Sequence, residues 1–251
     1  MKFKIEIFGP PGSGKSHLAS HLSEVLRKDH GLCTHWSQNY HRAGLDGSSR
    51  KIFFSRCHSF KAHSKAILWV LDNIGYFAGA YFGNSRLKRK YTVSIFWQTV
   101  RSLLPAFDKI SDATRKALVM EPGFCMAFMN GYLYAKTPPR PHVLNMFLKK
   151  NVTSGFLIGL RVEPTKATER LKSRPRGAPE RMRQLSEGEW FSVVAAGNHC
   201  STEMLNQAEA LGLPCLLIDT TLDMPPSAMG HVANVVAVEF HQFNANRGSI
   251  S

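Results

Sequence analysis

The sequence predicts an α/β fold of three layers, with a parallel sheet between helices, and three observations lead there. An alternating, β-rich run stops at a glycine- and proline-rich loop and passes into a helical pattern. Short apolar strands then alternate with helical stretches, the signature of a parallel, doubly wound sheet whose ligand site lies at the carboxyl ends of its strands. The chain has 251 residues, 43% hydrophobic and 20% charged, enough to bury one sizeable core, so a single domain over 1–251 is expected.

Residues 2–8 place Phe3, Ile5 and Ile7 on one face and stop at Gly9-Pro10, which reads as the first strand. Leu18, Leu22, Val25 and Leu26 follow at helical spacing up to Gly31. Residues 32–37 form a short second strand. From 46 to 116 the character changes to two apolar-periodic helices separated by the basic run Arg86-Leu87-Lys88-Arg89-Lys90. The second helix is marked by Val93, Phe96, Trp97, Val100, Leu103, Leu104 and Phe107 on one face. This stretch is expected to be a helical lobe inserted into the sheet domain. Residues 66–83 are apolar but carry Asp72 and Asn73 at their middle and barely reach the ~20 residues of a membrane span, so no span is expected.

Beyond the lobe, 117–121 and 155–162 read as buried strands, with helices near 124–135 and 142–149 between them. A helix over 203–211, a last strand over 214–219 and a closing helix over 226–240 complete the set. Neither an internal repeat nor a low-complexity segment interrupts it.

Gly9-Pro10-Pro11-Gly12-Ser13-Gly14-Lys15-Ser16 fits G-x-x-x-x-G-K-[S/T] between a predicted strand and a predicted helix, the context this motif requires. Glycines let backbone N–H groups curl around a β-phosphate, and the helix that starts there offers its positive dipole end. Lys15 is expected to reach the β- and γ-phosphates and the Ser16 hydroxyl to ligate Mg²⁺, with His17 next in line beside the nucleotide. A nucleoside triphosphate, ATP with Mg²⁺, is thus the expected ligand; no guanine-reading Asn-Lys-x-Asp is present.

Farther on, Arg161 to Arg174 run from a strand into a helix that places Arg170 and Arg174 four apart on one face. Pro175, Arg176, Gly177, Pro179, Arg181 and Arg183 continue it as a basic, mobile loop. Such arginines can close over a nucleotide and neutralise a phosphoryl group in transfer; the alternative is a solvated basic face.

The glycine loop and Glu169-Arg170-Leu171-Lys172-Ser173-Arg174 together resemble the lid-bearing nucleoside and nucleotide kinases of the adenylate, thymidylate and deoxynucleoside kinase type. The resemblance covers the framework from both ends but not residues 46–116. It implies a P-loop NTPase fold with 46–116 as the acceptor lobe, 163–188 as an arginine-rich lid, and Lys15, Arg170 and Arg174 as catalytic residues. Met120-Glu121-Pro122-Gly123 resembles the strand end whose acidic residue faces Mg²⁺, which makes Glu121 a candidate to hold the metal or to orient the acceptor. A helix-capping carboxylate is its alternative role. Asp219-Thr220-Thr221 with Pro225-Pro226 resembles the loop beside adenine, and Arg42 stands where adenylate-kinase-like enzymes hold an acceptor phosphate. Two departures stand out. Glu-Pro-Gly replaces the Asp-Arg or Glu-Arg-Ser of those kinases, and no acidic residue ends the second strand, so the acceptor side matches no single member.

The expected activity is transfer of the γ-phosphoryl of ATP to a hydroxyl or phosphate of a small molecule. The alternative is an ATP-binding regulator of slow hydrolysis that acts through a partner. A net charge of +14 and a pI of about 9.8 suit an anionic acceptor, to which Arg50, Arg56, Lys61 and the 86–90 run add; nucleic acid or an anionic membrane surface ranks last. Five scattered cysteines without a Cys-x-x-Cys pair indicate neither disulfides nor zinc, and His58 and His63 are assigned no metal. The first residues run straight into the glycine loop, which leaves no room for a signal peptide, so a cytoplasmic location is expected, where Asn151-Val152-Thr153 carries no glycan.

Overall fold

The computed structural model describes residues 3–32, 60–78, 103, 107, 117–135, 138–152, 155–175, 177–179 and 182–248. The expected second strand beyond Leu32, Arg42, Arg50, Arg56, His58, the 86–90 run, Arg176 and Arg181 lie outside the described residues, as does nearly all of the second lobe helix.

The elements are β1 (Phe3–Phe8), α1 (Lys15–Asp29), α2 (Phe60–Asp72), α3 (Ile74–Ala78), β2 (Ala117–Met120), α4 (Phe124–Tyr132), α5 (Pro141–Asn151), β3 (Phe156–Arg161), α6 (Pro164–Lys172), α7 (Glu187–Ala210), β4 (Cys215–Asp219) and α8 (Pro226–Gly248). A 3₁₀ turn covers Met182–Gln184. The described strands form one four-stranded sheet in the order β2-β1-β3-β4, every pair parallel. In register, Glu6 stands opposite both Met120 of β2 and Leu157 of β3.

Helices cover both faces of this sheet, as in a three-layer α/β fold. Phe3, Ile5 and Ile7 pack with Leu18, Leu22 and Leu26 of α1 and Val232, Val236 and Phe240 of α8. Phe8, Leu118, Met120 and Leu157 face the other way, among Phe128 of α4, Phe147 of α5 and Met204 of α7. The central strands are therefore buried on both sides rather than alternating, as parallel strands under crossover helices must be.

The described part of the 46–116 stretch docks on this second layer. The Trp69 ring lies 5.1 Å from Phe124 and 6.3 Å from Phe147. Its indole Nε1 donates to Asn151 Oδ1 at 2.7 Å, and Asn151 Nδ2 donates to the buried Asn73 Oδ1 at 2.9 Å. Leu103 and Phe107 are helical, Leu103 is fully buried, and Phe107 meets Phe124 at 5.5 Å. Among the described residues no helix is long and apolar enough to cross a membrane, and Asp72 pairs with Lys150 at 2.9 Å.

Most elements fall within a few residues of their expected limits, and two do not. The closing helix expected at 226–240 runs on to Gly248. The helix expected at 203–211 begins at Glu187, because Ser186 and Glu189 form a reciprocal capping box. That longer helix has a packing reason for Gly197, where a Cβ would come within 2.6 Å of Pro10 Cβ. Between α6 and α7, the described residues Ala178 and Met182 are buried in the α4–α7 core, and Trp190 Nε1 donates to the Met182 and Leu185 carbonyls. Cys125 and Cys200 are buried free thiols, with burial pushing Cys200 up to about 12, and Cys215 is half-buried.

Candidate functional site

The chain leaves β1 at Phe8, turns through residues 9–14 and enters α1 at Lys15, at the carboxyl edge of the sheet. Gly12 (φ +83°) and Gly14 (φ +79°) take backbone angles that side chains resist, and a Cβ on Gly12 would stand 2.7 Å from the Ala167 carbonyl oxygen. The loop is thus pressed against α6. A second tie comes from Thr220, buried just past β4, whose hydroxyl lies 3.0 Å from the Ser13 carbonyl oxygen and 3.0 Å from that of Arg161. Gly9, Pro10, Gly12 and Ser13 are buried, Pro11, Lys15 and Ser16 half-buried, and Gly14 and His17 exposed. The His17 ring lies beside His21, 6.5 Å between centroids.

Lys15 turns back over the loop, donating from Nζ to the Gly9 carbonyl at 2.9 Å and to the Pro10 carbonyl at 2.7 Å. Burial of its ammonium lowers its pKa to about 8; Glu121 counters that shift and Arg174 adds to it. The Ser16 hydroxyl donates to Glu121 Oε2 at 3.0 Å. Glu121 is the first residue beyond β2, so the strand beside β1 delivers a carboxylate to the first turn of α1. Burial also lowers the Arg174 pKa, with Glu121 opposing. Lys15, Ser16, Glu121 and Arg174 therefore make one cluster, drawn from three separate parts of the chain.

Arg170 is not part of it. It donates from Nη2 to Asp223 Oδ1 at 2.9 Å, on the loop after β4. α6 ends at Lys172 and Ser173 caps it, so Arg174 has left the helical face that a spacing of four assumes. This corrects the pairing of the two arginines.

A cavity of about 560 Å³ opens at the ends of β3 and β4, bounded by Arg161, Glu163, Asn198, Asp219, Thr221 and Leu222. Asn198 makes its floor rigid: Val162 N donates to Asn198 Oδ1 at 3.0 Å, and Asn198 Nδ2 donates to the Val162 carbonyl at 2.8 Å. Glu163 N donates to Thr221 Oγ1, and Arg161 Nε donates to Asp219 Oδ2, both at 2.9 Å. The Thr221 hydrogen bonds, then Arg161, hold the Asp219 carboxyl below the usual range. Asn198 escaped the sequence reading because nothing in its neighbours marks it; its role depends on α7 crossing β3.

Glu6 escaped too. An alternating strand reading assigns it to a polar face, yet helix α4 covers that face and Glu6 is 2% exposed. Its Oε2 accepts from Cys125 N at 2.9 Å, and burial raises its pKa while those N–H contacts pull the other way.

Two cations and one carboxylate leave the cluster with surplus positive charge where α1 begins, an arrangement suited to an oligophosphate. Among the described residues no three His, Cys, Asp or Glu gather as a metal site. The Ser16–Glu121 pair is a set of hard oxygens of the kind Mg²⁺ takes, one or two from protein and the rest from phosphate and water. No protein-family model matches the chain, and a search of curated proteins finds no match.

Proposed function

We propose that the chain is an ATP-dependent phosphotransferase, a small-molecule kinase of P-loop NTPase type, moving the γ-phosphoryl of ATP to a hydroxyl or phosphate acceptor. The observation that carries this reading is the convergence of Lys15, Ser16, Glu121 and Arg174 at the carboxyl ends of the parallel strands. The fit of the G-x-x-x-x-G-K-S pattern to the β1–α1 turn supports it.

In this reading the acceptor oxygen forms a bond to the γ-phosphorus as the bond to the β–γ bridging oxygen breaks, ADP departs, and a hydroxyl acceptor gives up its proton to solvent. Lys15 exchanges the Gly9 and Pro10 carbonyls for phosphate oxygens, so its ammonium trades neutral acceptors for charged ones. Ser16 and Glu121 are the residues that would hold Mg²⁺, which supplies charge neutralisation at the phosphate oxygens. Arg174 offsets charge on the phosphoryl group in transfer, and Glu121 also has the position to orient an acceptor. The cavity beside Asp219 and Thr221 takes the base, residues 46–116 supply the acceptor lobe, and 163–188 serve as the lid.

The test is ATP turnover with Mg²⁺, with and without a panel of nucleosides, nucleotides and sugars, using Lys15→Ala as the blank. Acceptor-stimulated ADP release with a phosphorylated product supports the kinase. Slow release that no acceptor stimulates would contradict it and point to an ATP-binding regulator acting through a partner.

A further inference from the structure

Glu6 holds a buried carboxyl group in the middle of an inner strand, between the sheet and α4, where an acidic side chain is costly to place. It stands opposite Met120, so it lies one register step from Glu121. Its Oε2 accepts from the backbone N–H of Cys125, in the first turn of α4, at 2.9 Å. The N-cap position of that helix is Gly123, which brings no side-chain oxygen of its own. The reason is spatial: a Cβ on Gly123 would stand 2.8 Å from Glu6 Oε2 and 3.2 Å from Met120 Cβ. A serine or aspartate at the cap would end the helix at far lower desolvation cost. Here the cap arrives from another strand and occupies the room a local cap would need.

The consequence is geometric. The turn 121–125 is pinned at both ends, by the β2 register before it and by Glu6 after it. Glu6 also lies three residues before Gly9 on the strand that launches the Lys15–Ser16 loop. One strand thus fixes both the loop that presents Ser16 and the turn that presents Glu121.

We infer that Glu6 is a positioning residue: by accepting the first-turn N–H of α4 it sets the placement of Glu121 against Ser16, and through it the response of the site to Mg²⁺. This rests on the reading of Ser16 and Glu121 as the Mg²⁺-holding pair. The Glu6 side chain hydrogen-bonds to neither.

The experiment compares ATP binding with and without Mg²⁺, by titration calorimetry, in wild type, Glu6→Leu, Glu6→Gln, Glu121→Gln and Glu6→Leu/Glu121→Gln. Leucine keeps the volume and removes the acceptor, while glutamine keeps an acceptor oxygen. Glu6→Leu is expected to keep Mg²⁺-free affinity within about twofold and to lose about tenfold or more of the Mg²⁺-dependent tightening, the scale seen when supports of a metal ligand are removed. Glu6→Gln is expected to restore most of it. In the Glu121→Gln background the Glu6 change should add nothing further. A folded Glu6→Leu with wild-type Mg²⁺ response, or one whose loss adds in full to that of Glu121→Gln, overturns the inference. If Glu6→Leu does not fold, Gly123→Ala carries the test, since its Cβ displaces the carboxylate; an unchanged Mg²⁺ response there overturns the inference equally. Wild type that binds ATP without any effect of Mg²⁺ would instead sink the reading of the Ser16–Glu121 pair, and this inference with it.

Discussion

Two sets of charged residues stand at the carboxyl ends of the parallel strands, and they are built to opposite ends. In the first, Lys15 and Arg174 crowd around Glu121, burial lowers both cationic pKa values, and positive charge is left over. In the second, Arg161 meets Asp219 and Arg170 meets Asp223, each at 2.9 Å, in pairs that balance, with Arg161, Asp219 and Asp223 facing water and Arg170 half-buried. Asp223 is 93% exposed, so its pair is screened. Unbalanced cations at a helix start, Lys15 half-buried and Arg174 exposed, gain greatly when an anion arrives, whereas arginines already paired with a carboxylate have little to gain. On the proposed reading, the first set carries the chemistry and the second holds the loop after β4.

The comparison breaks most visibly at Lys15. Lys15→Ala is expected to weaken ATP binding about 100-fold or more, as loss of a charged hydrogen-bonding partner to phosphate does, read by calorimetric titration. Arg174→Ala comes next: kcat should fall about 100-fold, with ATP affinity kept within about threefold. An equal loss of binding in both variants would erase the division of roles between them.

A pH series sharpens the same contrast. An anion favours charged Lys15, so the bound-state pKa lies above the free value of about 8. ATP affinity should therefore be flat through neutral pH and fall above about pH 8, approaching tenfold per pH unit. The slope is expected to vanish in Lys15→Ala and in Lys15→Arg, whose guanidinium keeps its proton. The smallest effect belongs to the second set: Arg170→Ala should cost at most about 0.5 kcal/mol in thermal unfolding and leave turnover near wild type. A loss of turnover as large as that of Arg174→Ala would restore Arg170 to the cluster.

What could be read from the sequence depended on whether a relation was local. The β1–loop–α1 unit was legible because its glycines, Lys15 and Ser16 are contiguous and flanked by clear periodicities, and the structure joins Ser16 to Glu121 across 105 positions as the strand-end position of Glu121 allows. The start of α7 was legible in principle, since Ser186 and Glu189 carry the capping-box spacing. Arg170 and Arg174 were misjoined because helical spacing says nothing of where a helix stops, and α6 stops between them. Glu6 and Asn198 were invisible for a further reason: the burial of one and the bracing role of the other arise only when α4 and α7 settle on the sheet. Strand parity cannot report which face another layer will cover.

The most direct test of the central claim is a titration of the chain with ATP, with and without Mg²⁺, beside Lys15→Ala. Micromolar or tighter binding that Mg²⁺ strengthens and Lys15→Ala abolishes is the expected result. Binding that Lys15→Ala leaves intact, or no binding at all, would contradict it.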